Sequence, residues 1–311
     1  MRILVLSAGA VGGYMGGRLA QAGADVTFLV RDGRRAQLER DGLRIVSRFG
    51  DWTGKVRTAG AGNVGPEFDL VLMMCKAYDL DSAIAAVRPA LAPAGMVIPG
   101  LNGIAHLETL NAAFGRERVF GGTVKCSVAM LADGTIRHSN DWHWLRFGEQ
   151  DGGISARALA VRDACAGATG FEAVPLADIM HEMWEKLVHL ATAAGMTCLM
   201  RASSGQIARA AGGRELFLRF LDSSREVARR CGHEPTPEFL ATYRELFTDP
   251  AAGYVPSMLR DIERGGPTEG DHIVGYMLRK ARETGADDTL LSIAYTHLMA
   301  YEERRKAGGL G

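Results

Sequence analysis

The chain has no excess of charge of either sign, with 36 Lys and Arg against 36 Asp and Glu in 311 residues. That balance removes the global attraction that draws proteins to nucleic acid or to an anionic membrane. Any pocket for an anion must therefore be local. No basic block with interleaved aromatics occurs, so nucleic-acid binding has no support. No apolar run of about 18 residues is present, and the apolar stretch after Met1 and Arg2 is too short for a signal peptide. No membrane partner is therefore expected. Cysteine is sparse, odd in number and scattered: Cys75, Cys126, Cys165, Cys198 and Cys231. Without a C-x-x-C pair, a structural zinc site is not expected, and the pattern fits reduced thiols in a cytoplasmic protein. No repeat of solenoid period and no low-complexity segment is found, and the terminal KAGGLG reads as a frayed tail.

What is present is enough apolar sequence, 47% of residues, for two domains with buried cores. Residues 2–6 are a short apolar run, 10–22 carry a helical pattern closed by Gly23, and DVTFLV at 25–30 is a β-branched and aromatic run. This is a β-α-β unit. Further strands are predicted at 43–47, 69–74, 95–98, 118–128 and 144–148, then a helix near 155–168 and a short strand FEAVP. A doubly wound, mainly parallel α/β sheet of the Rossmann type is the natural assembly. From Asp178 onward the pattern is helical, at 178–199, 203–211, 213–231, 236–247, 254–263, 269–284 and 287–305. The expected organisation is a dinucleotide-binding domain over 1–175 and an all-helical substrate domain over 176–311, with the boundary near Pro175.

The segment ILVLSAGAVGG at 3–13 raises the first functional question. In the G-x-G-x-x-G fingerprint the first glycine makes the turn, the second admits the pyrophosphate and the third lets the helix pack on the strand. Here those places are Ser7, Gly9 and Gly12. Only the turn glycine is replaced, and a small residue is tolerated there if its φ stays negative. Ser7, Ala8, Gly9, Ala10, Val11 and Gly12 are thus the candidate pyrophosphate turn. At the tip of the second strand an NAD enzyme usually places Asp or Glu for the ribose hydroxyls. This chain reads LVRD, and the guanidinium of Arg31 suits the 2′-phosphate of NADP.

Taken together, GAVGG at 9–13, Arg31, the CKAYD segment with Lys76, LNG with Asn102, WEKL with Lys186, and SMLRDIERGGPTEGDHIVGY at 257–276 resemble the ketopantoate reductase family, the 2-dehydropantoate 2-reductases. The resemblance covers essentially the whole chain, and Ser257 and Glu269 stand at the family's spacing. It implies a Rossmann domain followed by a helical domain, with the cofactor between them. The implied reaction is NADPH-dependent reduction of a 2-oxo acid to a 2-hydroxy acid, ketopantoate to pantoate in the family, a step of pantothenate biosynthesis. Lys186 matches the family's general acid and Asn102 a residue near nicotinamide and substrate. Ser257 matches a substrate-carboxylate ligand, and Glu269 a carboxylate that contacts cofactor and substrate. Arg31 and Lys76 match the residues that hold the adenosine 2′-phosphate. These residue types suit the chemistry, because hydride arriving at a ketone carbon places negative charge on oxygen, which a cationic donor stabilises and protonates.

One departure concerns the substrate. The family carries asparagines four and eight residues after the catalytic lysine, where this chain has Leu190 and Ala194. A pocket that loses such amides loses its preference for a hydroxylated substrate. The expected alternatives are a more apolar 2-oxo acid on the same scaffold, or a protein that binds NADPH without turnover. His189, three residues after Lys186, either contacts the substrate or is a packed or exposed histidine. His181, Glu185 and His189 share one helical stripe, but such a stripe does not easily converge on one ion, so no metal is expected. The oligomeric state is not legible, and a homodimer is one arrangement open to the chain.

Overall fold

The computed structural model describes residues 1–309; Leu310 and Gly311, the last two residues of the expected frayed tail, lie outside the described residues. The chain forms two compact units, one of Met1–Asn102 with His106–Ile179 and one of Gly103–Ala105 with the chain from Met180 onward.

The elements of the first unit are, in order, β1 (Arg2–Leu6), α1 (Ala10–Gln21), β2 (Asp25–Leu29), α2 (Asp32–Asp41), β3 (Leu43–Val46), β4 (Trp52–Gly54), β5 (Arg57–Ala59), β6 (Phe68–Met73), α3 (Leu80–Val87), β7 (Leu91–Pro99), α4 (His106–Phe114), β8 (Gly121–Met130), β9 (Ile136–Gly148), α5 (Ala156–Ala164) and β10 (Glu172–Pro175). Five strands form a sheet in the order β5-β2-β1-β6-β7, and every pair in it is parallel. Central β1 is covered on both faces: Ile3, Leu4 and Val5 are fully buried. A continuous apolar strand is what a sheet covered on both sides requires. The doubly wound parallel sheet expected from the sequence is therefore present.

A second sheet is an addition to that expectation. It runs β10-β9-β3-β4, with β8 antiparallel to β9. The long β9 takes β3 on its first residues and β10 on its last. Helix α1 is pressed against residues of both sheets through its glycines. A Cβ on Gly16 would stand 2.7 Å from the Phe28 ring, and one on Gly17 2.7 Å from Ile45 Cδ1. Any side chain at either position would push α1 away from its neighbours. Strands β4 and β5 have only three residues each, too few to show a period, and the first half of β9, IRHSNDWH, is polar.

The helices of the second unit are α6 (Ile179–Met200), which enters it from Met180 onward, α7 (Ser204–Arg209), α8 (Gly213–Arg230), α9 (Pro237–Thr248), α10 (Ser257–Glu263), α11 (Tyr276–Thr284) and α12 (Thr289–Lys306). Its helix starts follow local chemistry. Ser203 and Gln206 form a reciprocal capping box on α7, and Thr236 caps α9 ahead of Pro237. Gly285, at φ +67°, closes α11. The helix expected from 269 is instead a π-helical turn, Asp271–Gly275, running into α11. A wide turn of that kind often marks a functional segment. Among the described residues, no helix is long and apolar enough to cross a membrane.

Candidate active site

The turn after β1 is the first element of the site. Ser7 has φ +77°, in the left-handed region, so the expectation of a negative φ is corrected. The reason lies in the packing of α1. A Cβ on Gly12 would fall 2.1 Å from the Ser7 carbonyl oxygen, so the helix begins directly against the end of β1 and the chain must reverse sharply to reach it. Serine tolerates the conformation because its short hydroxyl is tied down. The Ser7 N–H donates to the Leu29 carbonyl at 3.0 Å, and its Oγ accepts from the Gly9 N–H at 3.2 Å. A left-handed non-glycine residue costs about 1–2 kcal/mol, and one hydrogen bond returns about 1 kcal/mol. Ser7→Ala, which keeps the strain and loses the bond, is expected to lower stability by about 1 kcal/mol. Ser7→Gly should stay near the parent, and chemical denaturation of both variants checks the difference.

This turn suits a dinucleotide. Gly9 is the N-cap of α1 and no side chain caps the helix. No side chain takes up the amides of the first turn, which lie at the end of the helix that favours anions.

Arg31 is the N-cap of α2, and its side chain is 82% exposed. Its Nη2 lies 2.8 Å from Asp79 Oδ1. Asp79 ends the 3-10 turn Ala77–Asp79, whose N-cap is Lys76. The structure thus brings together the two segments expected to hold the 2′-phosphate, through an acid that sequence reasoning did not single out.

A second missed residue is Arg34, one turn into α2. Its Nε donates to the Ala8 carbonyl at 3.0 Å, and its Nη1 and Nη2 both donate to the Gly134 carbonyl at 3.3 Å. It buttresses the dinucleotide turn from behind, and burial lowers the pKa of its guanidinium from the ordinary value. The visible signal was the repeated arginine in RDGRR. Asn102 is half-buried three residues beyond the end of β7. Gly103, at φ +84°, belongs to the second unit, where a Cβ would stand 3.0 Å from His272 Cδ2.

In the second unit, Lys186 and His189 lie three residues apart on α6 and both are half-buried. Leu190 is half-buried and Ala194 is 2% exposed. The His189 ring stacks on Tyr243 with centroids 4.1 Å apart, and its Nε2 lies 3.0 Å from the Tyr254 hydroxyl. Glu185, between His181 and His189 on the stripe, accepts from the Thr236 N–H at 2.8 Å and from its hydroxyl at 2.7 Å. Among the described residues, no group of three or more His, Cys, Asp or Glu is placed to hold a metal ion.

Ser257 is the first residue of α10. Glu269 is 6% exposed, just before the π-helical turn. The segment that carries it is anchored by Glu302 on α12, which accepts from the Thr268 N–H at 2.7 Å and from the Thr268 hydroxyl at 2.8 Å. Burial alone would raise the Glu302 carboxyl, but the Thr268 and Arg305 hydrogen bonds outweigh it and hold it below the ordinary carboxylate range. All five cysteines are free thiols. Burial pushes Cys165 and Cys198 up to about 12, so neither is a nucleophile at neutral pH.

A glycine-rich turn on a parallel sheet, joined to a helical unit with a half-buried lysine and a buried glutamate, defines the class as a nicotinamide-dependent oxidoreductase acting on CH–OH groups. The model of ketopantoate reductase PanE/ApbA matches residues 3–152, and that of its C-terminal part matches 178–302. The chain belongs to the ketopantoate reductase family. It is 35% identical to the Bacillus subtilis protein named uncharacterized oxidoreductase YkpB, over 98% of this chain and 100% of the relative. It is 29% identical to the 2-dehydropantoate 2-reductase of Archaeoglobus fulgidus, over 92% of each chain. Among solved structures, the 2-dehydropantoate 2-reductase of Geobacter metallireducens has a TM-score of 0.87 and 26% identity, over 96% of this chain and 99% of that one. D-mandelate dehydrogenase with NADH and anilino(oxo)acetate shares the fold, with a TM-score of 0.86 at 20% identity over 98% of this chain and 100% of that one.

Proposed function

We propose that the protein reduces a 2-oxo acid to a 2-hydroxy acid with NADPH, in the manner of ketopantoate reduction to pantoate, and that its preferred substrate carries an apolar side chain. The observation that carries this reading is the face of α6 that begins at half-buried Lys186 and continues with Leu190 and Ala194 in place of amides. When bound, the reduced nicotinamide supplies a hydride to the substrate's carbonyl carbon. The Lys186 ammonium stabilises the developing oxyanion and gives it a proton. The Ser257 hydroxyl donates to the substrate carboxylate. Asn102 and Glu269 orient the reacting groups, and residues Ser7 to Gly12 hold the pyrophosphate.

Arg31 and Lys76 hold the 2′-phosphate in this reading. The same fold accompanies NADH in D-mandelate dehydrogenase, so cofactor choice must rest on local residues. Arg31→Ala is expected to raise the KM for NADPH much more than that for NADH, since a charge-assisted contact is worth about 1.5–3 kcal/mol. Equal effects on both would overturn the assignment. Asp79 competes with the phosphate for the same guanidinium. Asp79→Asn should therefore tighten NADPH binding by roughly two- to fivefold, the range of an exposed ion pair, and leave NADH binding near the parent value.

The deciding experiment is NADPH consumption across 2-oxo acids graded by size and hydroxylation, ketopantoate among them. Single-turnover oxidation of bound NADPH separates an enzyme from a cofactor-binding sensor. A cytoplasmic location and a role in pantothenate biosynthesis belong to the same reading, and sedimentation equilibrium tests for a homodimer.

A further inference from the structure

We propose that the hydrogen bond between His189 and Tyr254 is a latch that places Ser257 relative to Lys186, which makes His189 a positioning residue and not a ligand of the substrate. This rests on the reading of Lys186 and Ser257 as the groups that meet the substrate's carbonyl and carboxylate.

The imidazole is fixed on two sides. It stacks on Tyr243 at 22° between planes, and Tyr254 lies tilted against it with centroids 5.5 Å apart. Its Nε2 is 3.0 Å from the Tyr254 hydroxyl. Tyr254 is held at its backbone as well, where its carbonyl accepts from the Ser204 N–H at 3.1 Å. Two residues earlier, the Ala252 carbonyl accepts from the Gly205 N–H at 2.8 Å. A Cβ on Gly205 would stand 2.4 Å from that oxygen, so the close approach requires glycine. One residue later, the Val255 carbonyl accepts from Arg260 Nη1 at 2.6 Å. The segment leading into α10 is thus pinned to the start of α7 by its backbone and to α6 by the His189–Tyr254 bond.

Chain geometry makes that bond matter for the site. Lys186 stands three residues before His189, about 4.5 Å along the helix axis. Ser257 follows Tyr254 by three residues, which reach no more than about 10 Å. A segment fastened at Tyr254 therefore has little freedom left at Ser257. Burial raises the Tyr254 hydroxyl above its ordinary pKa, so it remains protonated across the working pH range. Stacking fixes the orientation of the imidazole and the phenol engages its Nε2, so that nitrogen is not available to a substrate hydroxyl.

The test uses the full chain and steady-state kinetics with two probes, ketopantoate and its analogue lacking the hydroxyl. Tyr254→Phe keeps the ring and removes only the hydroxyl. The KM for both oxo acids should rise roughly two- to twelvefold, the equivalent of one net hydrogen bond, while the Kd for NADPH stays at the parent value and the melting temperature falls by no more than the few degrees that one lost hydrogen bond explains. With Tyr254 in place, His189→Gln, whose amide can still pair with the phenol, should raise KM less than His189→Leu does. In a Ser257→Ala background, Tyr254→Phe should have no further effect, because the latch acts through Ser257. An unchanged KM in Tyr254→Phe would overturn the latch, as would a weakening of NADPH binding equal to the rise in KM. If Ser257→Ala alone raises KM while Tyr254→Phe does not, the latch falls and the reading of Ser257 stands. If Ser257→Ala leaves KM unchanged, that reading falls, and the latch with it.

Discussion

Lys186→Ala is expected to fold, to bind NADPH with little change and to lose on the order of 10² to 10⁴ in kcat, the range of a positioned general acid. The lysine lies on the longest helix of the second unit, of 22 residues, between the buried neighbours Trp184 and Leu187. Removing its side chain therefore leaves the packed face of α6 in place. Stability should change little, and NADPH binding, followed by nicotinamide fluorescence, should remain near the parent value. The loss belongs to the chemical step, so it should appear in single-turnover rates at saturating substrate. Near-normal turnover would mean that another donor carries the proton. With its Nε2 at the Tyr254 hydroxyl, His189 is poorly placed to be that donor.

The second large effect concerns substrate choice. A 2-oxo acid with an apolar branched side chain is expected to be reduced with a higher kcat/KM than ketopantoate. A hydroxyl buried without a partner costs about 1–3 kcal/mol, roughly a ten- to hundredfold loss in specificity constant. An apolar group in the same place gains contact with Leu190. Leu190→Asn should move the preference toward ketopantoate, and Leu190→Asn with Ala194→Asn should move it further. The structure separates the two changes. Leu190 is half-buried and can present an amide, whereas Ala194 is 2% exposed, so an amide there lacks solvent to pair with. The double variant should therefore lose about 1–3 kcal/mol of stability that Leu190→Asn alone keeps. Specificity constants for ketopantoate and for its analogue without the hydroxyl, beside thermal melts, measure both effects. A parent enzyme that already prefers ketopantoate tenfold would overturn the substrate argument.

The same distinction runs through the whole molecule. The central strands and the helices of the second unit were legible because their signals are local. Strands β1 and β6 carry unbroken buried apolar runs at 3–6 and 70–73, while Thr236-Pro237, Gly285 and the Ser203 box mark helix ends by their own chemistry. Lys76, Lys186, Ser257 and Glu269 entered the candidate site only as members of a family pattern, since a lone lysine or serine on a helix carries no signal of its own. The tertiary structure decided the rest. It put Ser7 in a left-handed conformation, because the close approach of Gly12 to the end of β1 sets that φ and no neighbouring residue announces it. It paired Arg31 with Asp79 across 48 residues of sequence and set Arg34 behind Ala8. It also turned His189 toward Tyr254, 65 residues away. A sequence fixes which donors and acceptors exist and which face of a helix they share. Their partners are chosen by distances that arise only when the elements pack, because a hydrogen bond or ion pair depends on separation in space and not along the chain.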